Sequence, residues 1–229
     1  FAQTAAAYES LLRDSMPEVM RRMDLEVLFN RASLFSGAAA VYLLAGIGAL
    51  ASFILRGRAE GSRAAESIRA GSAALLLGAV IVHTVALAVR IYLQDRPPVT
   101  NLYSSAVFVG WAAAVAALFI ERLFPIGIAV LGASIVGCGT LIVAHNLGND
   151  GDTMQMMQAV LDSNFWLATH VITITLGYSA TFLAGVLAAA YLVARSCTGW
   201  ITRPRAEAMG KMIYGSVCFA LLVSFVGTV

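Results

Sequence analysis

The stretch GSAALLLGAVIVHTVALAVRIYL, residues 71–93, decides the fold class of this chain. It is long enough to cross the hydrocarbon core of a bilayer, which is about 30 Å thick and needs about 20 apolar residues in a helix. Its basic side chains are His83 near the middle and Arg90 near the end. A run of this length and composition is typical of a transmembrane helix.

Five further runs of this kind predict a bundle of about six transmembrane helices, and they cover roughly 34–55, 103–121, 124–145, 168–194 and 212–229. Of the 229 residues, 59% are hydrophobic and 12% are charged, whereas soluble domains have about 25% charged residues. This composition excludes a soluble enzyme, a nucleic-acid-binding protein and a disordered scaffold. The fold class is therefore all-α, a polytopic membrane helix bundle.

The first 30 residues differ from the rest, because acidic and basic side chains alternate there with Leu and Met at helical spacing. This pattern predicts an amphipathic helix at the outer face or interface over residues 1–30. Residues 31–229 would then form the transmembrane bundle. The sequence starts at Phe1 and stops at Val229 inside an apolar run. We therefore expect a piece of a longer chain, incomplete at its C-terminus.

Basic residues predict the orientation. Arginines are concentrated in residues 56–69, and arginines together with Lys211 in residues 195–211. The positive-inside rule puts both segments in the cytoplasm. Alternation then puts three segments outside: the N-terminal helix, the turn at 94–101 and the Asp- and Asn-rich stretch 146–166, which has no Lys or Arg.

Histidine is the side chain most suited to chemistry in this chain. His83 lies about 18 Å from the start of its run, near the bilayer midplane. A neutral imidazole bonded to a neighbouring helix is one interpretation, and an axial ligand of haem iron is the other. Arg90, near the outer end of the same run, would either reach the surface or pair with an anionic group.

His145 and His170 border the outer stretch between the fourth and fifth runs. Residues 150–162 predict a short amphipathic helix capped by Asp152, with methionines that are more typical of packing than of metal ligation. Asn146 and Gly148 follow His145 directly, so we expect the backbone to leave the helix there. His170 is expected in the first turn of the fifth span, with Trp166 four residues earlier on the same face.

The turn RPPVTNLY, residues 96–103, predicts a rigid corner. Pro97 and Pro98 fix the backbone, and Asn101 is placed to cap the following helix. Tyr103, like Trp111 and Trp166, fits an aromatic belt at the membrane surface. The corner is therefore expected to be mainly structural.

Two strings in the sequence resemble the CcsA/ResC family of cytochrome c assembly proteins. The first, HTVALAVRIYLQDRPPVTNLYSSAVFVGW, is similar to the family's membrane helix, its P-x-x-N-x-Y corner and its Trp-containing helix. The second, LDSNFWLATHVITITLGYSATFLAGVLAAAYLV, is similar to the family hallmark of a Trp shortly before a His and a Gly-Tyr in the next helix. Those residues are Trp166, His170, Gly177 and Tyr178. The family's Trp-rich signature, WGxxWxWDxKE, is absent from these 229 residues.

The resemblance implies a membrane protein that handles non-covalently bound b-type haem in the bacterial cytoplasmic membrane. It would present haem at the outer face for attachment to CxxCH apocytochrome c, as part of a haem lyase if the full chain is present. The implied partners are a ResB/CcsB-type membrane protein, apocytochrome c and a thiol-reducing thioredoxin-like protein, but no nucleic acid.

For individual residues, the resemblance implies that His170 is an axial iron ligand of the outer haem and that His83 holds or relays haem within the bundle. Trp166, Arg90 and Tyr178 are the further candidate haem-binding residues. Two other functions fit the sequence: a transporter whose path is lined by His83 and Arg90, and a structural subunit without a cofactor.

Overall fold

The computed structural model describes residues 2–58, 62–149, 163–197 and 201–228, and these residues are almost entirely helical. The helices are α1 (Ala2–Ser15), α2 (Pro17–Ala32), α3 (Leu34–Arg58), α4 (Arg63–Gln94), α5 (Leu102–Leu123), α6 (Ile128–Asn149), the short α7 (Asn164–Trp166), α8 (Ile172–Cys197) and α9 (Arg203–Thr228). A π-helical turn, Leu167–Val171, joins α7 to α8. The helix predicted for residues 150–162 lies outside the described ranges.

Six of the described helical stretches are long and apolar enough to cross a membrane, and they contain α3, α4, α5, α6, α8 and α9. The predicted number of spans is confirmed. The protein is a multi-pass membrane protein built as a helical bundle.

The helices extend beyond the apolar runs that predicted them. α4 begins at Arg63, eight residues before the apolar run, and the Ser62 side chain accepts a hydrogen bond from the Ala65 N–H as its N-cap. α9 begins at Arg203, again inside a basic segment. Hydropathy identifies only the part of a helix that lies in the hydrocarbon core. Because arginine is a good helix former, the polar residues at the ends extend the same helices into water.

The N-terminal segment forms two helices where the sequence predicted one. The break falls at Met16, because Pro17 has no N–H to continue the hydrogen-bond ladder and instead starts α2. Arg13 binds Glu9 on its own helix and Asp24 on α2, at 2.9 and 2.8 Å. The Arg22 guanidinium lies 5.3 Å from the ring centre of Tyr92, which ties α2 to α4.

α6 lies at the centre of the bundle, in contact with α3, α4, α5 and α8. Small residues allow these close contacts: a Cβ at Gly137 of α6 would lie 3.2 Å from the Tyr42 ring of α3. α9 is peripheral and packs mainly on α8. In the most apolar window of α6, 56% of residues are buried, against 22% for α9.

Candidate functional site

The predicted corner is a tightly hydrogen-bonded turn. Asn101 is the N-cap of α5, its side chain accepting a hydrogen bond from the Ser104 N–H at 2.8 Å. The Ser104 hydroxyl in return accepts the N–H groups of Thr100 and Asn101, both at 2.8 Å. The predicted cap is confirmed, and the reciprocal bond from Ser104 completes a capping box.

The corner packs against the turn that carries His170. Val99 of the corner belongs to a small apolar cluster with Phe108 and Ala112 of α5, and Val171 and Ile172 pack against that cluster. The two stretches that carry the family resemblance are therefore neighbours in space. The corner supports the histidine-bearing turn as well as ending the α4–α5 connection.

His170 is half-buried and lies in the first turn of the fifth span, as predicted, and this turn is π-helical. π-helical turns widen the backbone locally and occur often at functional sites. Trp166 directly precedes this turn, is 54% exposed and stacks edge-to-face on Phe165. The turn presents an imidazole and an indole at one end of the bundle.

Tyr178 lies on the exposed side of α8, with 56% of its area accessible, and is not part of the packed interior. Its neighbour Gly177 is the tightly packed residue of the pair. A Cβ at Gly177 would collide with Ser224 and approach the Ala220 carbonyl of α9 to 3.3 Å. In this Gly-Tyr pair, the glycine has the clear structural role of letting α8 and α9 approach.

His83 is fully buried between α3 and α4. Its Nδ1 lies 3.1 Å from the Tyr42 hydroxyl, and the rings of Phe35 and Tyr42 pack edge-to-face on the imidazole. Nε2 makes no hydrogen bond to the described residues, and the Val107 backbone lies near the ring without meeting hydrogen-bond geometry. Nδ1 is therefore hydrogen-bonded to Tyr42, whereas Nε2 has no hydrogen-bond partner among the described residues.

Arg90 is buried within the protein instead of extending to the surface, with 3% of its area exposed. Its guanidinium carbon lies 4.5 Å from the ring centre of Tyr103, a cation–π contact between the end of α4 and the start of α5. This contact ties the C-terminal end of α4 to the corner residue Tyr103.

A cavity of about 420 Å³ opens beside these groups. Tyr103 and His145 line it, as does Phe35, which also packs on His83. α6 continues to Asn149, so the expectation that the backbone leaves the helix at His145 is wrong. The side-chain amide of Asn146 donates to the Ile142 carbonyl of the same helix at 2.8 Å. Asn146 is therefore accommodated within α6 and does not end the helix. His145 is exposed on a regular helix at the rim of this cavity.

Sequence reasoning missed Tyr42 and Phe35, which complete the surroundings of His83. A tyrosine in the middle of the first apolar run was the available signal, because a hydroxyl at that depth needs a partner. It also missed an ion pair near the other membrane face. Arg69 donates to Glu121 at 3.0 Å, and the Glu121 carboxylate also accepts the Gly127 N–H at 2.9 Å. This pair joins α4 to α5, and the bond from Gly127 ties the α5–α6 connection to it.

The cytochrome c biogenesis protein CcsA of Synechococcus sp. strain CC9605 is 32% identical over 127 residues, 55% of this chain and 41% of that protein. CcsA of Synechococcus sp. strain CC9311 is 28% identical over 155 residues, 67% of this chain and 50% of that protein. This chain is similar in sequence to CcsA proteins over about half of its length.

The chain is also similar to the protein NrfI of Wolinella succinogenes, which is 27% identical over 183 residues, 77% of this chain. That match covers 19% of NrfI. The chain thus spans half or less of the length of these relatives. No family model matches the chain.

Proposed function

We propose that this chain is a haem-handling component of cytochrome c biogenesis in the bacterial cytoplasmic membrane. Relatives that are named cytochrome c biogenesis protein CcsA match about half of the chain. The observation that carries the proposal is His83, a fully buried imidazole with Nδ1 next to the Tyr42 hydroxyl and Nε2 without a hydrogen bond to the residues that the structure describes.

The surroundings of His83 fit an iron ligand. Metal-binding histidines usually give their second nitrogen to a hydrogen-bond partner, which fixes the tautomer and the ring orientation. If Nδ1–H donates to the Tyr42 hydroxyl, Nε2 carries the lone pair that haem iron accepts. Phe35 packs on His83 and also lines the neighbouring cavity, so one side chain separates the imidazole from that cavity.

The outer end of the bundle supports the second half of the proposal. His170 would be an axial ligand for haem at the outer face, with Trp166 stacking beside the porphyrin. The π-helical turn and the Val99 contact hold this histidine at a defined position. Arg90, stacked on Tyr103, would supply positive charge for propionates near the cavity. Tyr178 remains a candidate at the periphery of this site.

Haem supplies, when bound, the vinyl groups to which the thiols of an apocytochrome CxxCH motif add. The residues of this chain would bind and orient the macrocycle, limit water access and leave the outer face open to the apoprotein. A ResB/CcsB-type membrane protein and a thiol-reducing thioredoxin-like protein are the partners that we propose, and the second would keep the cysteines reduced.

An absorption spectrum of the purified protein from haem-replete cells tests the proposal. We expect a Soret band that weakens in His83→Ala and in His170→Ala. A colourless protein that nevertheless assembles in the membrane contradicts haem handling and favours a transporter or a structural subunit. Tyr214→Phe, at an exposed tyrosine of α9, is a control that should leave the spectrum unchanged.

A further inference from the structure

A second cavity of about 420 Å³ forms a groove between α5, α8 and α9, separate from the cavity that Tyr103 and His145 line. Its walls are almost entirely hydrocarbon and include Phe119, Leu123, Leu176, Leu183 and Phe219. Among the described residues that line it, Lys211 is the charged one. The hydroxyl of Ser216 is satisfied inside α9, because it donates to the Met212 carbonyl at 2.8 Å. The groove therefore suits an apolar chain with one anionic end.

The length of the groove matches one leaflet of a bilayer. Its wall on α5 runs from Trp111 to Phe124, which at 1.5 Å per residue is about 20 Å. One leaflet, with its headgroup region, is about 20–22 Å thick. Lys211 lies where α9 passes from its basic first turns into its apolar run, close to a membrane surface.

The groove has open space on its α9 side. A Cβ added to Gly215, which lines the groove, would meet no atom within 4 Å. Lys211 is exposed, and it forms no ion pair with any residue that the structure describes. The nearest acidic residue along α9, Glu207, is held by Arg203 at 3.2 Å.

We propose that this groove binds an acyl chain of an anionic phospholipid whose phosphate is held by Lys211. A single basic residue at a membrane surface attracts an anionic headgroup by about 1 kcal/mol. A docked helix, which is 10–12 Å across, would cover the lysine with apolar surface and leave its charge without a counter-ion. The phospholipid satisfies both the hydrocarbon walls and the ammonium group. The proposal does not depend on haem handling.

Trp111 lines the groove and is a native reporter of its occupant. With Trp166 and Trp200 replaced by Phe, Trp111 is the one tryptophan within these 229 residues. Its fluorescence is measured in phosphatidylcholine vesicles that contain a fixed fraction of either dibrominated phosphatidylglycerol or dibrominated phosphatidylcholine. We expect the brominated phosphatidylglycerol to associate about fivefold more strongly, the factor that corresponds to ~1 kcal/mol. Equal quenching by both lipids, or none, overturns the proposal; the latter result would mean that a helix fills the groove.

Three variants make the test specific. Lys211→Gln should abolish the preference for phosphatidylglycerol, and Lys211→Arg should retain it. Gly215→Phe should fill the groove and reduce quenching by both lipids. Gly210→Phe on the same helix is the matched control, because a side chain there also meets no atom within 4 Å but lies outside the groove lining. A preference that survives Lys211→Gln, or equal effects of the two glycine variants, refutes the assignment.

Discussion

The Tyr42 hydroxyl lies 3.1 Å from Nδ1 of His83, and both side chains are completely buried. The contact joins α3 to α4 at mid-membrane depth, where an unsatisfied polar group is expensive. It also leaves Nε2 as the nitrogen without a hydrogen bond to the described residues. His83 can thus be a structural contact between two helices or an iron ligand, and its pairing with Tyr42 allows the two interpretations to be tested.

Replacing Tyr42 by Phe should separate these two roles. The phenyl ring keeps the packing against Gly137, so we expect a loss of stability of about 1–3 kcal/mol from the unpaired Nδ1. If His83 binds iron, haem affinity should fall about 10–100-fold, because the partner that orients the ligand is gone. Absorbance titration with haem measures the second effect. Unchanged affinity in a folded variant would leave His83 with the structural role alone.

The two outer histidines can be distinguished by cavity rescue. We expect His170→Gly to abolish cytochrome c assembly and added imidazole to restore it in part, because imidazole can occupy the opened axial position. His145→Gly should assemble cytochromes at near-normal levels. Since His145 lies on the rim of the cavity that contains Tyr103, the reverse result would move the outer ligand to His145.

The corner should respond to mutation as a structural element. Asn101→Ala removes a cap worth about 0.5–2 kcal/mol. Ser104→Ala should have at least as large an effect, because it leaves the buried Thr100 N–H and the Asn101 N–H without the Ser104 oxygen. Thermal unfolding in detergent measures both, and Asn101→Ser should restore most of the loss. If Asn101→Ala keeps full stability but stops cytochrome maturation, the corner is a binding element.

Arg69 and Glu121 form a largely buried ion pair, with side chains 15% and 5% exposed. Removal of one partner from a buried pair typically costs about 3–5 kcal/mol. We therefore expect Glu121→Ala to lower the unfolding temperature strongly, and Arg69→Met with Glu121→Met to recover part of the loss. A double-mutant cycle gives the coupling energy, and a value near zero would mean that the pair does not stabilise the contact between α4 and α5.

Orientation is tested with single cysteines in a Cys-free background. The positive-inside rule predicts that an impermeant thiol reagent added from outside labels Asn149→Cys and leaves Ser62→Cys unlabelled. The opposite pattern would invert the bundle and place His170 on the cytoplasmic side.

The sequence by itself determined the class of the fold, the number of spans and the cap at Asn101. These follow from local properties: a run of apolar residues has no stable place in water, and a capping side chain bonds to its own turn. It also identified His83 and His170, because titratable side chains stand out in apolar surroundings.

Only the tertiary structure decided what these residues contact. Tyr42 lies 41 positions from His83, and Glu121 lies 52 from Arg69, and hydropathy carries no information about which faces of two helices meet. The π-helical turn at His170 and the continuation of α6 past His145 likewise depend on packing against neighbouring helices. In a membrane every helix is apolar all round, so close packing and a few polar contacts select its partners.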